Sequence, residues 1–274
     1  MNRSITILAA FLAAIAAIAQ EKANIEVSYT ASQPNFSTGK AGKPKQFILI
    51  ANATDSKFYS PMTEYLDSLE STPEGKAKSK EISRSAFMSG NQDKIPKRDG
   101  RYYVLKSEST GIITTYDVNG LEKYVMTEHF PEWNWEISDS TKNILGYDCQ
   151  MARSEFHGRV WNVWFTPEIP VMNGPWKLGG LPGLILEASE QTGAYGFSAN
   201  GIQQTSREIN PVYSSDTYDK IDRKDFLKAK RKMNDNPVSQ MNAQLSGLGI
   251  SIQADANTLK RKSREEVDFI ETDY

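Results

Sequence analysis

The stretch that decides the fold is Gly174-Pro-Trp-Lys-Leu-Gly-Gly-Leu-Pro-Gly-Leu-Ile-Leu-Glu-Ala188. It contains four glycines and two prolines around a single tryptophan, and an apolar run follows directly. Glycine permits backbone conformations that other residues avoid, whereas proline fixes one dihedral angle and removes an amide donor. We therefore predict a tight, irregular loop that leads into a buried strand.

The same stretch does not fit a phosphate-binding loop. Such loops place converging amides at the start of a helix, with a lysine after the last glycine. Here Lys177 precedes the glycine pair, Pro182 has no amide to donate, and the residues that follow favour a strand. We interpret the motif as scaffold, with its tryptophan filling the core. Its structural residues are Gly174, Pro175, Gly179, Gly180, Pro182 and Gly183.

Short β-prone segments occupy the chain on both sides of the motif. Residues 24–32 alternate between apolar and polar side chains, and residues 101–127 form three short runs separated by glycine-containing turns, one of them at Asn119-Gly120. Residues 133–137 alternate in the same way. Residues 142–167 are typical of a long hairpin that turns at His157-Gly158.

A few segments favour helices. Ser60-Pro61 predicts a helix start, because proline suits the first helical position and serine suits the cap. Residues 71–85 are either a solvated extension of this helix or a mobile loop. A second helix is expected over residues 222–234, capped by Asp222. Residues 257–266 repeat its basic character, and residues 267–270 are expected to form a final strand.

These patterns predict one mainly β domain of the α+β kind. We expect a curved antiparallel sheet or an open half-barrel with a few packed helices. No internal repeat or linker divides residues 20–274, and a single β domain of ~200–250 residues is common. The net charge of −2 argues against nucleic-acid binding, which needs a strongly basic face.

Residues 1–19 read as an export signal. Arg3 gives a positive start, residues 5–18 are almost wholly apolar, and Ala17-Ile-Ala19 matches a signal-peptidase site. The apolar run is shorter than the ~20 residues that a membrane span needs. We expect cleavage near Ala19 and a periplasmic or secreted protein without a transmembrane span.

The central part of the chain resembles the GLPGLI family, whose name is spelled by residues 180–185. The likeness also covers Ile144-Leu-Gly-Tyr-Asp-Cys149 and the aromatic strand Trp161 to Thr166, so that residues 133–188 match in order. The resemblance implies an exported protein of a Bacteroidetes-type bacterium, and it brings no catalytic residues with it. The hairpin arms also look like those of exported lipoprotein-carrier-like proteins, which fold as half-barrels; this is fold-level analogy.

Cysteine and histidine chemistry is sparse. Cys149 is the single cysteine, so an intramolecular disulfide is excluded, and burial as a small hydrophobe is the expected state. His157 lies about 26 Å from Cys149 along an extended strand of ~3.3 Å per residue, too far for a catalytic dyad. A soft-metal site for copper, built from Met126, His129 and Cys149, stays open as an alternative.

Carboxylates are plentiful, and no spacing selects a catalytic pair. Glu128, Glu132, Glu136 and Glu187 lie near tryptophans, as acids do beside sugar-binding platforms. A carboxylate-based hydrolase therefore remains an alternative function. The sequence leaves open whether the chain is an enzyme, although it favours a protein without catalytic activity. No catalytic residue is assigned.

The tryptophans carry the main functional hypothesis. All five fall within the family-like region, where they either fill a β core or line a hollow for an apolar or sugar-like ligand. The candidate ligand-binding residues are Trp133, Trp135, Trp161, Trp164 and Trp176. We expect a non-catalytic binding or carrier protein that uses no cofactor, with a small-molecule ligand or an envelope protein as its partner.

Overall fold

A computed structural model describes residues 22–36, 40–91, 93, 95–253 and 268–274. The fold is mainly β, as predicted, and its strands form one open, curved sheet. The strands are β1 (Ile25–Ser32), β2 (Lys45–Ala51), β3 (Asp55–Tyr59), β4 (Tyr103–Ser107), β5 (Ile112–Asn119), β6 (Glu122–His129), β7 (Glu136–Ile144), β8 (Tyr147–Phe156), β9 (Arg159–Thr166), β10 (Leu184–Glu190), β11 (Gly196–Gln204) and β12 (Asp219–Lys220). The α-helices are α1 (Pro61–Glu70), α2 (Pro73–Met88), α3 (Arg223–Asp235) and α4 (Pro237–Leu245).

The strand order is β12-β6-β5-β4-β3-β2-β1-β11-β10-β9-β8-β7. Two antiparallel meanders, β1 to β6 and β7 to β11, meet where β1 pairs with β11 in the middle of the sheet. The short strand β12 is parallel to β6, and the other strand pairs of the described chain are antiparallel. Nearest-neighbour hairpins therefore build most of the sheet, and the β1–β11 pair joins its two halves.

One face of the sheet carries the main core. On β1 the residues Ile25, Val27, Tyr29 and Ala31 alternate onto this face, as the sequence pattern predicts. The core continues under the glycine-rich stretch and beneath α3, where Met126 packs against Phe226 and Leu227. The opposite face has a smaller core, so both faces of the central strands are covered.

The helix predictions are largely confirmed. Helix α1 begins at Pro61, and Ser60 precedes it in an extended conformation without a side-chain capping bond. Helix α3 begins after Asp222, whose carboxylate accepts the amides of Lys224 and Asp225. Residues 73–88 form a separate helix that is capped by Thr72. The segment is therefore neither an extension of α1 nor a loop. No helix in the described ranges is long and apolar enough to span a membrane.

The strand predictions need three corrections. The strand expected from Trp133 begins only at Glu136, because the preceding indoles turn towards the glycine-rich stretch. The hairpin arm expected from Ile144 begins at Tyr147, after a turn at Leu145-Gly146 where both residues have positive φ. Residues 268–270 are not a strand. The predicted signal at 1–19 and the basic segment 257–266 lie outside the described residues.

The glycine-rich stretch is closely packed against its surroundings. It forms a loop between β9 and β10 that leads into the buried residues at the start of β10. A Cβ atom on Gly183 would collide with the carbonyl oxygen of Thr166, and one on Gly180 would collide with the ring of Trp133. These glycines therefore mark close approaches that no larger residue permits.

We predict that Gly183→Ala destabilises the protein by about 3 kcal/mol or more, because its Cβ atom meets backbone atoms that cannot rotate away. Gly193→Ala is the matched control: Gly193 has φ +76° and open space around it, so the cost should be only about 1 kcal/mol. Urea unfolding followed by tryptophan fluorescence measures both. Equal losses in the two variants would contradict a role for close packing at Gly183.

Candidate functional site

The glycine-rich stretch is held by side chains from β4 and from the segment before β7. Trp176 adopts φ +53° and is 3% exposed, so the turn drives its indole into the core. The ammonium of Lys106 donates to the carbonyls of Gly174 (2.9 Å) and Leu178 (2.7 Å). The indole of Trp135 donates to Gly179 O at 3.0 Å. The loop is thus held on both sides, and Trp176 has a fixed orientation.

The five tryptophans take four different roles. Trp161 is fully buried and belongs to the core. Trp133 and Trp135 are half-buried and stack on each other with ring centroids 5.0 Å apart. Trp164 lies beneath the ammonium of Lys142, which is 4.4 Å from its ring centroid. The ring of Trp176 borders a cavity, so the structure places one of the five candidate tryptophans at a pocket in the described chain.

This cavity has a volume of about 370 Å³ and lies between the main-core face of the sheet, α3 and residues 269–271. That size is within the ~300–1,000 Å³ typical of small-molecule sites. Both aromatic rings and charged groups line it. The aromatic lining consists of Phe36, Tyr102, Trp176, Tyr195, Phe197, Phe226 and Phe269. The charged lining consists of Lys45, Arg98, Arg101, Asp117, Lys177, Arg223, Lys230 and Glu271.

A buried ion cluster forms one end of this pocket, and Lys177 is its centre. The Lys177 ammonium, 1% exposed, contacts Glu271 at 2.7 Å and also pairs with Glu128. Arg223 binds Glu271 at 2.6 Å and Asp273 at 2.7 Å. Four separate parts of the chain therefore meet here: β6, the glycine-rich stretch, α3 and residues 268–274.

His157 closes the cluster from the β8–β9 turn. Its Nε2 atom lies 2.9 Å from Glu128, and its Nδ1 atom lies 3.2 Å from Asp273. An ionised carboxylate only accepts hydrogen bonds, and neutral imidazole has a single N–H group. Both contacts can be hydrogen bonds only when His157 is an imidazolium ion.

The carboxylates of the cluster are held in the ionised state. Burial alone would raise the pKa of Glu128, but the hydrogen bond from His157 and the charge of Lys177 outweigh it and lower this pKa to about 2. For Glu271 burial is again outweighed, mainly by Lys177, so its pKa is lowered. The pKa of Asp273 is lowered by Arg223 and His157 against the effect of burial.

This cluster is therefore poorly suited to acid–base catalysis. A hydrolase with two carboxyl groups needs one of them protonated as the acid, which requires a raised pKa. Here the pKa of each carboxylate is lowered, and each carboxylate is bound by a cation. The arrangement holds separate chain segments together.

Residues 268–274 are bound to the domain through this cluster. Phe269 packs against Phe36 and Phe226, and its carbonyl accepts from Arg159 at 2.6 Å. The Thr272 amide donates to His157 O at 2.9 Å. This segment supplies one wall of the pocket, although it belongs to no strand.

The proposed soft-metal set is not assembled. Met126 is buried against Phe226 and Leu227, whereas Cys149 is buried in the main core. His129 is exposed and lies three residues from Met126 on β6, which places the two side chains on opposite faces. The buried state of Cys149 confirms the expectation for the lone thiol.

The described residues do contain a different group of possible metal ligands. Ligand atoms of His157, Glu271 and Asp273 lie within 4.8 Å of one another. Lys177 and Arg223 already bind these carboxylates. A metal ion would have to displace both cations, so the donor set fits an ion cluster better than a metal centre.

Sequence reasoning singled out the glycine-rich stretch but missed its lysine as a site residue. Lys177 sits between Trp176 and a leucine inside an otherwise apolar loop, and that isolated charge was the available signal. The other cluster members Arg223, Glu271 and Asp273 lie 46 to 96 residues further along the chain, as the numbering shows. No local pattern connects them to Lys177.

The comparisons with known proteins place this chain in a family. A family model described as "N-glycanase peptide, N-terminal domain" matches residues 80–235, more than half of the chain. The chain therefore belongs to this family of N-glycanase N-terminal domains. The matched region includes Asp117, Glu128, His157, Lys177 and Arg223.

Two solved structures of PNGF-II, in space groups P21 and C2, share the fold. Each aligns over 77% of this chain with 15% identity and a TM-score of 0.50. The chain spans about a third of their length, since 33% of each is covered. At this identity the likeness concerns the fold alone. No curated protein sequence matches the chain.

We predict that Glu128→Gln removes an acid-sensitive part of the stability. Because the folded pKa of Glu128 is lowered, its contribution is complete above the unfolded value of 4.5 and is lost as the pH falls towards about 2. The stability difference between wild type and variant should shrink by up to about 3 kcal/mol over that range.

Urea unfolding at pH values between 5 and 2 measures this difference. Glu132→Gln, at an exposed glutamate in the loop after β6, is the matched control and should follow the wild-type pH profile. A constant offset between wild type and Glu128→Gln at every pH would contradict the ion cluster as described.

Proposed function

We propose that this domain binds carbohydrate without catalysing its cleavage, and that its ligand is an N-linked glycan or glycopeptide. The observation that carries the proposal is the pocket of about 370 Å³ beside Trp176, in a chain of the N-glycanase N-terminal-domain family. The family description refers to an N-glycanase, so an N-linked glycan is the corresponding ligand class.

The lining of the pocket supports a sugar ligand. Sugars present apolar C–H faces that pack on aromatic rings, and hydroxyl groups that need hydrogen-bond partners. The rings of Tyr102 and Trp176 supply the first kind of surface. The carboxylate of Asp117 supplies acceptors at the pocket wall; it receives the Val118 amide at 2.7 Å and the Lys230 ammonium at 2.5 Å.

The ion cluster supports binding over catalysis. Its carboxylates are ionised and engaged by cations, and they fix the wall formed by residues 268–274. This cluster therefore offers no protonated carboxyl group that could serve as the general acid of a hydrolase. The comparisons give no support to a carrier, and we do not retain that form of the hypothesis.

Two further expectations rest on the sequence alone. We propose that residues 1–19 direct export to the periplasm, and that the chain also belongs with GLPGLI proteins. Neither bears on the choice of ligand.

We predict that Asp117→Asn weakens glycopeptide binding by about tenfold, since a charged acceptor contributes roughly twice the energy of a neutral one. Isothermal titration calorimetry with an N-linked glycopeptide that carries no acidic sugar measures the affinity. The same peptide without its glycan should not bind.

Asp139→Asn is the matched control, because Asp139 is exposed on β7 and is not part of the pocket lining. Its affinity should equal that of wild type. Equal binding of the bare peptide, or an unchanged affinity in Asp117→Asn with both variants folded, would overturn glycan binding at this pocket.

A further inference from the structure

Outside the ion cluster and Arg98, the charged lining of the pocket has more positive than negative charge. We call Lys45, Arg101, Thr115, Asp117 and Lys230 the polar end of the pocket; all of them line the cavity, and Arg101 is exposed. Thr115 and Asp117 are two residues apart on β5 and so project from the same face. Asp117 forms an ion pair with Lys230. The charges of both residues act on the pKa of Lys45, which Lys230 lowers and Asp117 raises.

The other cations of the pocket have partners. Arg98 binds Asp67 at 2.8 Å and Glu70 at 2.6 Å on α1. Lys177 and Arg223 belong to the ion cluster, where three carboxylates surround them. These pairings use every carboxylate that lines the pocket in the described chain.

Lys45 and Arg101 are left without such a partner. Neither has a carboxylate within 4.0 Å among the described residues, and Asp99 acts on Lys45 only from a greater distance. Burial is the main cause of the lowered pKa of Lys45. Its ammonium therefore loses water without gaining a contacting anion, which is an unfavourable state that a bound anion would reverse.

Thr115 provides an independent observation. The residue is 8% exposed, and its buried Oγ1 atom has no hydrogen-bond partner in the described structure. Leaving such a hydroxyl unpaired costs about 1–3 kcal/mol, so buried polar groups normally find a partner. A hydroxyl can donate to an anion that the two neighbouring cations attract.

We propose that the polar end of the pocket is a subsite for an anionic group, such as the carboxylate, sulfate or phosphate of an acidic saccharide. Lys45 and Arg101 supply the positive charge, and Thr115 donates a hydrogen bond. This proposal rests on the proposed glycan-binding function, which it narrows to glycans that carry acidic groups.

The first experiment tests the anion subsite without any sugar. Inorganic phosphate is titrated against the protein, and the fluorescence of Trp176 and the other tryptophans reports binding. The double variant Lys45→Met/Arg101→Met should bind phosphate at least about tenfold more weakly than wild type, and Thr115→Val several-fold more weakly. Lys78→Met removes one charge from an exposed position on α2 and should behave as wild type.

The second experiment asks whether the glycan supplies the anion. Two N-linked glycopeptides that differ only in a terminal acidic sugar are compared by calorimetry. The acidic form should bind wild type about tenfold more tightly. In the Lys45→Met/Arg101→Met variant the ratio of the two affinities should fall towards one.

The outcomes separate the two proposals. Phosphate affinity that is equal in wild type and the double variant, with both melting normally, overturns the anion subsite. Equal affinity of wild type for both glycopeptides overturns the acidic-glycan inference and leaves glycan binding intact. Phosphate binding together with no binding of either glycopeptide overturns glycan binding and leaves an anion site of another purpose.

Discussion

The site depends on one buried positive charge, the ammonium of Lys177. A lysine that is 1% exposed is costly unless anions surround it, because burial removes the water that would otherwise stabilise its charge. Glu128 and Glu271 meet this requirement, and the pKa of Lys177 is raised although burial alone would lower it. The lysine thereby binds the end of β6 and residues 268–274 to the glycine-rich stretch.

The aromatic residues extend this junction across the sheet. Ring contacts run from Trp133 to Phe156 (4.7 Å), from Phe156 to Trp176 (5.6 Å) and from Trp176 to Trp161 (5.6 Å). From Trp161 they continue to Phe197 at 6.3 Å. Because Trp176 belongs both to this chain of rings and to the pocket wall, the packing of the core determines the shape of the cavity.

Much of the fold could be predicted from local sequence, because most strands pair with their neighbours along the chain. The turn at His157-Gly158 and the cap at Asp222 need only adjacent residues, and the structure places them as predicted. The strand expected at Trp133 was wrong because its alternation of indoles is satisfied by stacking and by a hydrogen bond to Gly179. Tertiary contacts, which single-segment patterns do not contain, decided that segment.

The site was less accessible to sequence reasoning. The motif was interpreted as scaffold, and Trp176 was among the candidate ligand-binding residues. The charged partners were not found, since His157, Arg223 and Glu271 become neighbours only when the sheet curves and residues 268–274 return to it. A hydroxyl such as Thr115 gives no sequence signal at all, because its importance arises from burial without a partner.

The two buried lysines of the motif region respond to pH in opposite ways, and this distinguishes their roles. Burial lowers the pKa of Lys106 to about 7, with only weak opposition from Glu108, and its ammonium contacts carbonyl oxygens. The native state therefore binds fewer protons than the unfolded chain between about pH 7 and 10.5, so this group adds stability as the pH rises through that range. Lys177, with a raised pKa, contributes fully below 10.5 and loses its contribution only above it. Near neutral pH Lys177 therefore stays charged and holds the loop, whereas the protonation of Lys106 changes with pH. The pocket wall next to Trp176 is therefore fixed by the charge that does not change near neutral pH.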